Sequence, residues 1–431
     1  MQSAAVLVET MFFLEFQQLN PIPNVFSFAI GHLLAWNSPV LTQFKSNDTD
    51  VNPIGRPITE LEVSIGASII PIGSTIGTLL VGKPADIYGR KRILNYLAAG
   101  GAASFAAISF ASSIYVYFIF LTTASICISA GFVIVPVYVI EMAEDKNRGK
   151  LGCYSSVIIT VGELYVYALG TVTNLLKLSL LCGLPFLLFI TITAFLPESP
   201  IFLSSKGNKT EALVALRKLR KNKSMSEINK ECKEKEKMLD STSKEEIKDI
   251  GVLFKTRSAR KALLLSVGIR LTQQLSGFFV VSSFLAPLFT ETGISLSADV
   301  LTIIVSSVNI LVAILALNII EKTGRRFLLL TAIFVDGLSM LVLGLYFVFK
   351  ENNFVIPDGV KVIPIIAILT FLWMFTLGLS NVPFIVISEL LPNEARTVGS
   401  SLVLVTGNIA MFLIILIKGD ENTLISENNL T

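Results

Sequence analysis

Two consecutive side-chain amides, Gln273 and Gln274, stand inside an apolar run near 262–285. An amide in hydrocarbon is costly unless it meets a partner. A polyhydroxylated solute supplies such partners, because each hydroxyl donates and accepts, and an amide answers both. The same amides can instead bond one helix to another. Both readings stand at this stage. Three charges lie in similar surroundings: Arg270, Glu163 and Asp336. Intramembrane charges are expensive and usually pair or line water. Arg270 shares a helix face with Gln273, Gln274 and Gly277, so it can point into a cavity with Glu163 as a partner. The other reading places all three nearer the membrane interface.

The chemistry of an enzyme is not supported. There is one histidine, His32, and no HExxH or serine-elbow pattern. His32 can titrate, but a lone histidine on a helix is more often packed or pore-lining. The four cysteines show no metal-ligand or disulfide spacing, and no cofactor is implied. Gly77-x4-Gly82-Lys83 approaches a phosphate-binding loop, but Pro84 replaces its Ser/Thr and no strand precedes it, so ATP binding is rejected.

A second set of charges repeats. Asp86, Gly89 and Arg90 keep the spacing of Glu321, Gly324 and Arg325. Glu141 and Arg148 lie seven apart, as do Glu389 and Arg396, each pair at the end of an apolar run. Two signatures recurring in one order imply two similar halves, an arrangement of secondary transporters. Opposite charges at these helix ends can bridge neighbouring helices and the two halves, which makes the eight residues a candidate gate. Alternatively the arginines set topology only.

The elements that must hold these groups are membrane helices. The chain has 431 residues, 52% hydrophobic and 16% charged, with net charge +3. Soluble domains carry about 25% charged residues, and so small a net charge does not suggest nucleic acid. Apolar runs of about 20 residues can each span a bilayer. About eleven are present, near 22–44, 62–81, 93–111, 114–140, 151–173, 178–196, 262–285, 300–320, 327–349, 362–388 and 398–418. The first is interrupted by Pro21, Pro23, Asn24 and His32. Gly73 and Gly77 share a face that admits a close neighbour. Loops rich in Lys and Arg (83–92, 146–150, 322–326 and Arg396) alternate with loops poor in them, which places the former and the amino terminus in the cytoplasm. Residues 198–261 break the pattern. Thr210 can cap a helix carrying Leu213, Leu216 and Leu219, and 226–240 are dense in Lys and Glu at helical spacing. They read as a helical linker or a solvated tether.

The chain resembles the sugar porter family of the major facilitator superfamily, and within it the insect facilitated trehalose transporters and related hexose carriers. The residues are Trp36-Asn37-Ser38-Pro39, Gly82-x3-Asp86-x2-Gly89-Arg90, Pro136-x-Tyr138-x2-Glu141 with Arg148-Gly149, Pro197-Glu198-Ser199-Pro200, Gln273-Gln274-Leu275-Ser276-Gly277 and Gly324-Arg325-Arg326. The resemblance spans roughly residues 25–417. It implies an all-α fold of two bundles that takes up a sugar (trehalose or a hexose such as glucose) by facilitated diffusion at the cell membrane. Rivals are a sugar-sensing receptor of the same fold and a proton-coupled symporter. Proton-coupled relatives carry an aspartate in the first helix, and 22–44 have no acid, which favours passive transport. Gln273, Gln274 and Asn309 match family sugar contacts, with interhelical bonding as the other role.

Several positions depart from the family. The glutamine of the fifth helix falls on Ser156. The asparagine after the QQLSG motif falls on Phe279, and the two tyrosines that follow fall on Ser283 and Phe284. The tryptophan of the tenth helix falls on Phe384, and the Asn-Trp pair of the eleventh on Gly407-Asn408. Phe384 and Asn408 remain candidate substrate contacts.

The expected organisation is an N-terminal six-helix bundle at 1–197, a cytoplasmic linker at 198–261, a C-terminal bundle of about five helices at 262–418 and a polar tail at 419–431. The twelfth helix and closing PET-type motif of the family are not found. An odd number of spans places Thr431 outside. Asn47-Asp48-Thr49 is then a glycosylation sequon on the outer face, and Asn429-Leu430-Thr431 a poorer one.

Overall fold

The computed structural model describes residues 24–48, 52–143, 148–220, 224–232, 251–291, 297–352, 357, 360, 362–391 and 396–428. Residues 1–20 and the sequon at 429–431 lie outside them. The described residues form helices and connecting turns. Nineteen helices follow in order, several of them pieces of one span: α1 (Val25–Ala35), α2 (Asn37–Phe44), α3 (Glu60–Tyr88), α4 (Arg90–Ser109), α5 (Ile114–Met142), α6 (Arg148–Gly170), α7 (Leu175–Thr193), α8 (Pro200–Ser205) and α9 (Lys209–Leu219). The short α10 covers 225–232. Then come α11 (Gly251–Lys255), α12 (Arg257–Leu275), α13 (Phe278–Ser283), α14 (Leu285–Glu291), α15 (Ala298–Thr323), α16 (Arg325–Glu351), α17 (Ile363–Met374), α18 (Val382–Leu390) and α19 (Arg396–Asn428).

Among the described residues, eight helical spans, three of them made of more than one of these helices, are long and apolar enough to cross a membrane by length and composition. The sequence predicts about eleven apolar runs. The other three are helical but weaker: α4, and the apolar stretches Tyr154–Gly170 and Gly399–Ile415 within α6 and α19. In α4 the hydropathy is diluted by Arg90, Lys91 and Arg92 and by a run of Gly, Ala and Ser. Its small residues instead let it pack closely on α5 and α7. The expected polar tail also differs, because α19 continues through 419–428. That stretch contains no proline to stop it.

Three expected spans are broken, each for a local reason. Between α1 and α2 the chain turns at Trp36. Pro39 lacks an N–H, and its ring would crowd the carbonyl of Ala35, the last residue of α1. The run near 262–285 breaks after the amide pair, where Gly277 takes φ +83° before α13 begins. The run near 362–388 loosens into a π-helical segment, Phe375–Leu379, before Asn381 and Pro383. Pro383 removes the bond that Leu379 would otherwise receive, so that carbonyl is free for another donor.

Two bundles result. In the first, α1 packs on α6, α3 on α5, and α4 on α7. In the second, α16 lies against α17 and the π segment, and α12 against α19. The bundles meet where α3 packs on α19 and α6 on α15. The α3–α5 contact is close enough to reach backbone. A Cβ on Gly77 would stand 2.4 Å from the Ile126 carbonyl oxygen, and one on Gly73 would overlap the Ser125 hydroxyl. Gly77→Val is therefore expected to destabilise the chain by about 1–3 kcal/mol, the cost of overpacking. A fall in the detergent-solubilised melting temperature checks this. Gly82→Ala, whose Cβ meets open space, serves as the control and should leave it unchanged.

The motif turn between α3 and α4 is equally specific. Gly89 adopts φ +100°, and a Cβ there would lie 2.5 Å from a carboxylate oxygen of Glu198. That carboxylate accepts a hydrogen bond from the Lys91 N–H at 3.0 Å, which caps the first turn of α4. The Lys91 ammonium donates to the Leu196 carbonyl at 2.6 Å. The PESP motif thus locks the end of the sixth span onto the repeated turn.

In the described part of 198–261, Leu216, Ile228 and Cys232 form a small apolar cluster. Arg220 pairs with Glu231 at 3.0 Å and donates to the carbonyls of Met142 and Ala143, each at 3.1 Å. These bonds dock α9 and α10 on the end of α5.

Candidate functional site

Helices that start or end at the basic side carry Gln273, Asn408 and Asn309 to similar depth. Gln273 is sixteen residues into α12 and Asn408 twelve into α19, while Asn309 is fourteen from the end of α15. At 1.5 Å per residue these lie about 18–24 Å from the basic ends, near the middle of a membrane.

Gln273 is buried and bridges helices. Its amide nitrogen donates to the Leu379 carbonyl at 2.6 Å, the carbonyl that Pro383 leaves free, and more weakly to Ser380 at 3.4 Å. Its oxygen accepts from the Arg270 guanidinium. Gln274 is half-buried and reaches α19, donating to the Gly407 carbonyl and the Met411 sulfur, each at 3.3 Å. Both amides therefore bond between helices in this conformation. Asn309 is buried and accepts from the Thr376 hydroxyl at 2.8 Å. Asn408 is buried beside Gly407, and its amide has no described hydrogen bond. Phe384 lies 5.8 Å from Phe132 of the other bundle and 5.2 Å beneath the Arg270 guanidinium.

Arg270 is not where a pairing with Glu163 would put it. It takes Gln273 and the Phe384 ring as partners, and no carboxylate lies within ion-pair distance among the described residues. Helix side chains lean toward the helix start, which points Arg270 down toward Phe384. Room for it comes from Gly407, whose Cβ would stand 2.5 Å from the Arg270 Nε. The departure at Gly407 and the charge at Arg270 are therefore one packing solution. Glu163 and Asp336 are both buried within the protein, and neither Asp336 carboxylate oxygen has a hydrogen-bond partner among the described residues. His32 is buried and stacks on Tyr165 with 5.4 Å between ring centres.

The bundles touch above and below this level. On the side away from the basic ends, the Ala286 N–H donates to the Ser38 hydroxyl at 3.2 Å, and the Tyr167 hydroxyl donates to the Ser282 carbonyl at 2.9 Å. On the basic side, Ser156 of α6 bonds Asn381 at the start of α18, next to the Phe132–Phe384 contact. Sequence reasoning passed over Asn381 and Thr376. The signal was present, since both are polar residues in an apolar run. Ser156, read there as an eroded contact, finds an amide supplied by the opposite bundle.

At the basic ends, Arg90 bonds Asp86 and Glu141, both at 3.2 Å, and donates to the Ala85 carbonyl at 3.0 Å. Arg325 pairs with Glu389 at 2.9 Å. These pairs join helices within each bundle. The side chains of Arg148, Glu321 and Arg396 lie outside what the structure describes. Asn47 is exposed in the α2–α3 connection. Within the connection the Asn52 N–H donates to the Asp48 carbonyl at 2.8 Å, and it closes where Arg56 meets Glu62. That carboxylate raises the Arg56 pKa further, through its hydrogen bond first.

Two helical bundles that enclose polar groups at mid-depth, with contacts on both sides of that level, define a polytopic carrier of the major facilitator fold. The chain has the same fold as the xylose transporter XylE from E. coli in a partially occluded inward-open conformation, with TM-score 0.75, 19% identity and coverage of 94% of this chain and 91% of that one. The family model described as "Sugar (and other) transporter" matches residues 25–418, and the chain belongs to that family. It is 26% identical to the mouse protein "Solute carrier family 2, facilitated glucose transporter member 6", over 90% of this chain and 79% of that protein. It is 25% identical to the facilitated trehalose transporter Tret1 of Polypedilum vanderplanki, over 88% of this chain and 74% of that protein. It is a sugar transporter of the membrane, not an enzyme.

Proposed function

We propose that the chain moves a sugar, trehalose or a hexose such as glucose, passively across the cell membrane by rocking one bundle against the other. The bundles are those of 1–197 and 262–418, with 198–261 as the cytoplasmic linker. The observation that carries this is the pair of cross-bundle contacts, Ser38–Ala286 on one side of the amide cluster and Ser156–Asn381 on the other. Each is a single hydrogen bond between uncharged groups, worth about 1 kcal/mol, so either can open while the other holds, and the substrate shifts the balance by its difference in affinity between the two forms. Gln273, Gln274, Asn309, Phe384 and Asn408 form the sugar site, and the amides exchange their helix partners for sugar hydroxyls as the bundles part. Asp86, Arg90, Glu141, Arg148, Glu321, Arg325, Glu389 and Arg396 form the cytoplasmic gate. Asn47 carries the glycan.

The absence of an acid from α1 and α2 supports uncoupled transport. One observation favours proton coupling instead: Glu163 is buried on α6, one residue beyond the Gly31–Gly162 contact with α1. Sugar uptake into proteoliposomes separates the two. With the sugar gradient fixed and the proton gradient collapsed, the uncoupled carrier keeps its initial rate. A rate that falls several-fold, and recovers when the gradient is restored, establishes coupling in its place.

A further inference from the structure

Arg270 presents an unmet demand at the centre of the molecule. Its side chain is more than nine-tenths buried. Of its five N–H donors, one bonds the Gln273 oxygen, and Nε is buried without a partner. Its charge rests on a ring face and an amide, with no carboxylate in reach among the described residues. An uncompensated charge at membrane depth is costly, and the chain also gives up a side chain at Gly407 to make room for it.

We propose that the transport site takes a hexose bearing one carboxylate, a hexuronate, with its carboxylate held by the Arg270 guanidinium. This rests on the reading of the mid-depth cluster as a sugar site and specifies its substrate class. A guanidinium grips a carboxylate through two parallel N–H bonds, and the free Nε belongs to the edge that makes them. Gln273 fixes the far side of the fork, and Phe384 holds the cation from below. Gln274, Asn309 and Asn408 remain for the ring hydroxyls. One guanidinium neutralises one negative charge. A sugar phosphate carries nearly two at neutral pH and would leave a net charge in the low-dielectric centre, so the carboxylate is the better match.

The test is uptake of radiolabelled glucuronate and glucose by the full chain in the same proteoliposomes. With an imposed potassium diffusion potential of about 59 mV, inside positive, glucuronate is expected to accumulate about tenfold, the ratio for one charge, while glucose only equilibrates. Arg270→Gln is expected to lower the glucuronate-to-glucose rate ratio at least tenfold. Arg270→Lys, which keeps the charge but not the fork, should retain an intermediate ratio. Arg270→Gln protein that fails to fold is replaced in the test by competition on the wild type, where glucuronate should inhibit glucose uptake at a lower concentration than glucose 6-phosphate does. Glucose entry without glucuronate entry overturns the proposal and leaves sugar transport intact. An unchanged ratio in Arg270→Gln, or stronger competition by glucose 6-phosphate, also overturns it. Entry of neither sugar removes the sugar-site reading itself.

Discussion

Arg90→Ala should destabilise the chain by about 3–5 kcal/mol, the cost of leaving one member of a buried ion pair alone. Glu141, its partner, is only 8% exposed. With Arg90 gone, its carboxylate would keep a desolvated charge beside Glu198 and the Tyr138 ring. The Ala85 carbonyl would lose its donor as well. Arg325→Ala removes the matching arginine of the repeat, yet its pair with Glu389 is about half exposed on both sides. Exposed pairs contribute about 0–1 kcal/mol. One repeated motif is thus expected to give two very different outcomes. Denaturation midpoints of the two variants in the same detergent check this. The double variant Arg90→Ala/Glu141→Gln should recover much of the loss, since no buried charge is stranded. Equal losses at Arg90 and Arg325 would show that the repeat acts by topology alone.

Gln273→Ala should have the second large effect, and on transport rather than on insertion. The substitution frees the Leu379 carbonyl of the π segment and removes the amide that steadies Arg270. Each of these two buried groups costs about 1–3 kcal/mol when left unpaired, more for a charged one, so a loss of initial rate of at least about tenfold is expected. Gln274→Ala should cost less. Gln274 is half-buried, and its bonds to Gly407 and Met411 are long. Counterflow rates normalised to protein in the membrane decide the order. A larger loss at Gln274 would mean that the open form, in which the amides face substrate, governs the rate.

The sequence announced the broad architecture because it is written in strong signals. Apolar runs of membrane length and charged turns at fixed spacing are local patterns. The Gly73–Gly77 face was legible for the same reason, since two glycines four apart can serve only a close neighbour. The breaks were less visible. Pro39, Gly277 and Pro383 each stood in an apolar run, and hydropathy alone does not say whether a run bends. The partners were not visible at all. Gln273 meets a carbonyl left free by Pro383 four residues on, in another span, and Ser156 meets Asn381 across 225 residues. Opposite charges attract, so the sequence alone offers Glu163 as a partner for Arg270. The fold set its position by other means, through Gly407 and Phe384. Such pairings depend on helix packing, which no local pattern encodes.

At the centre of the proposed function, sugar passes through a site exposed alternately to either side. Counterflow measures that directly. Purified protein is placed in liposomes preloaded with unlabelled glucose or trehalose, and a trace of the labelled sugar is added outside. The expected result is a transient accumulation of label above its outside concentration, driven only by the exit of unlabelled sugar, and at least about tenfold slower to develop in Gln273→Ala. Label that binds to the vesicles with no overshoot, for every sugar tried, would contradict it and leave a receptor of the same fold.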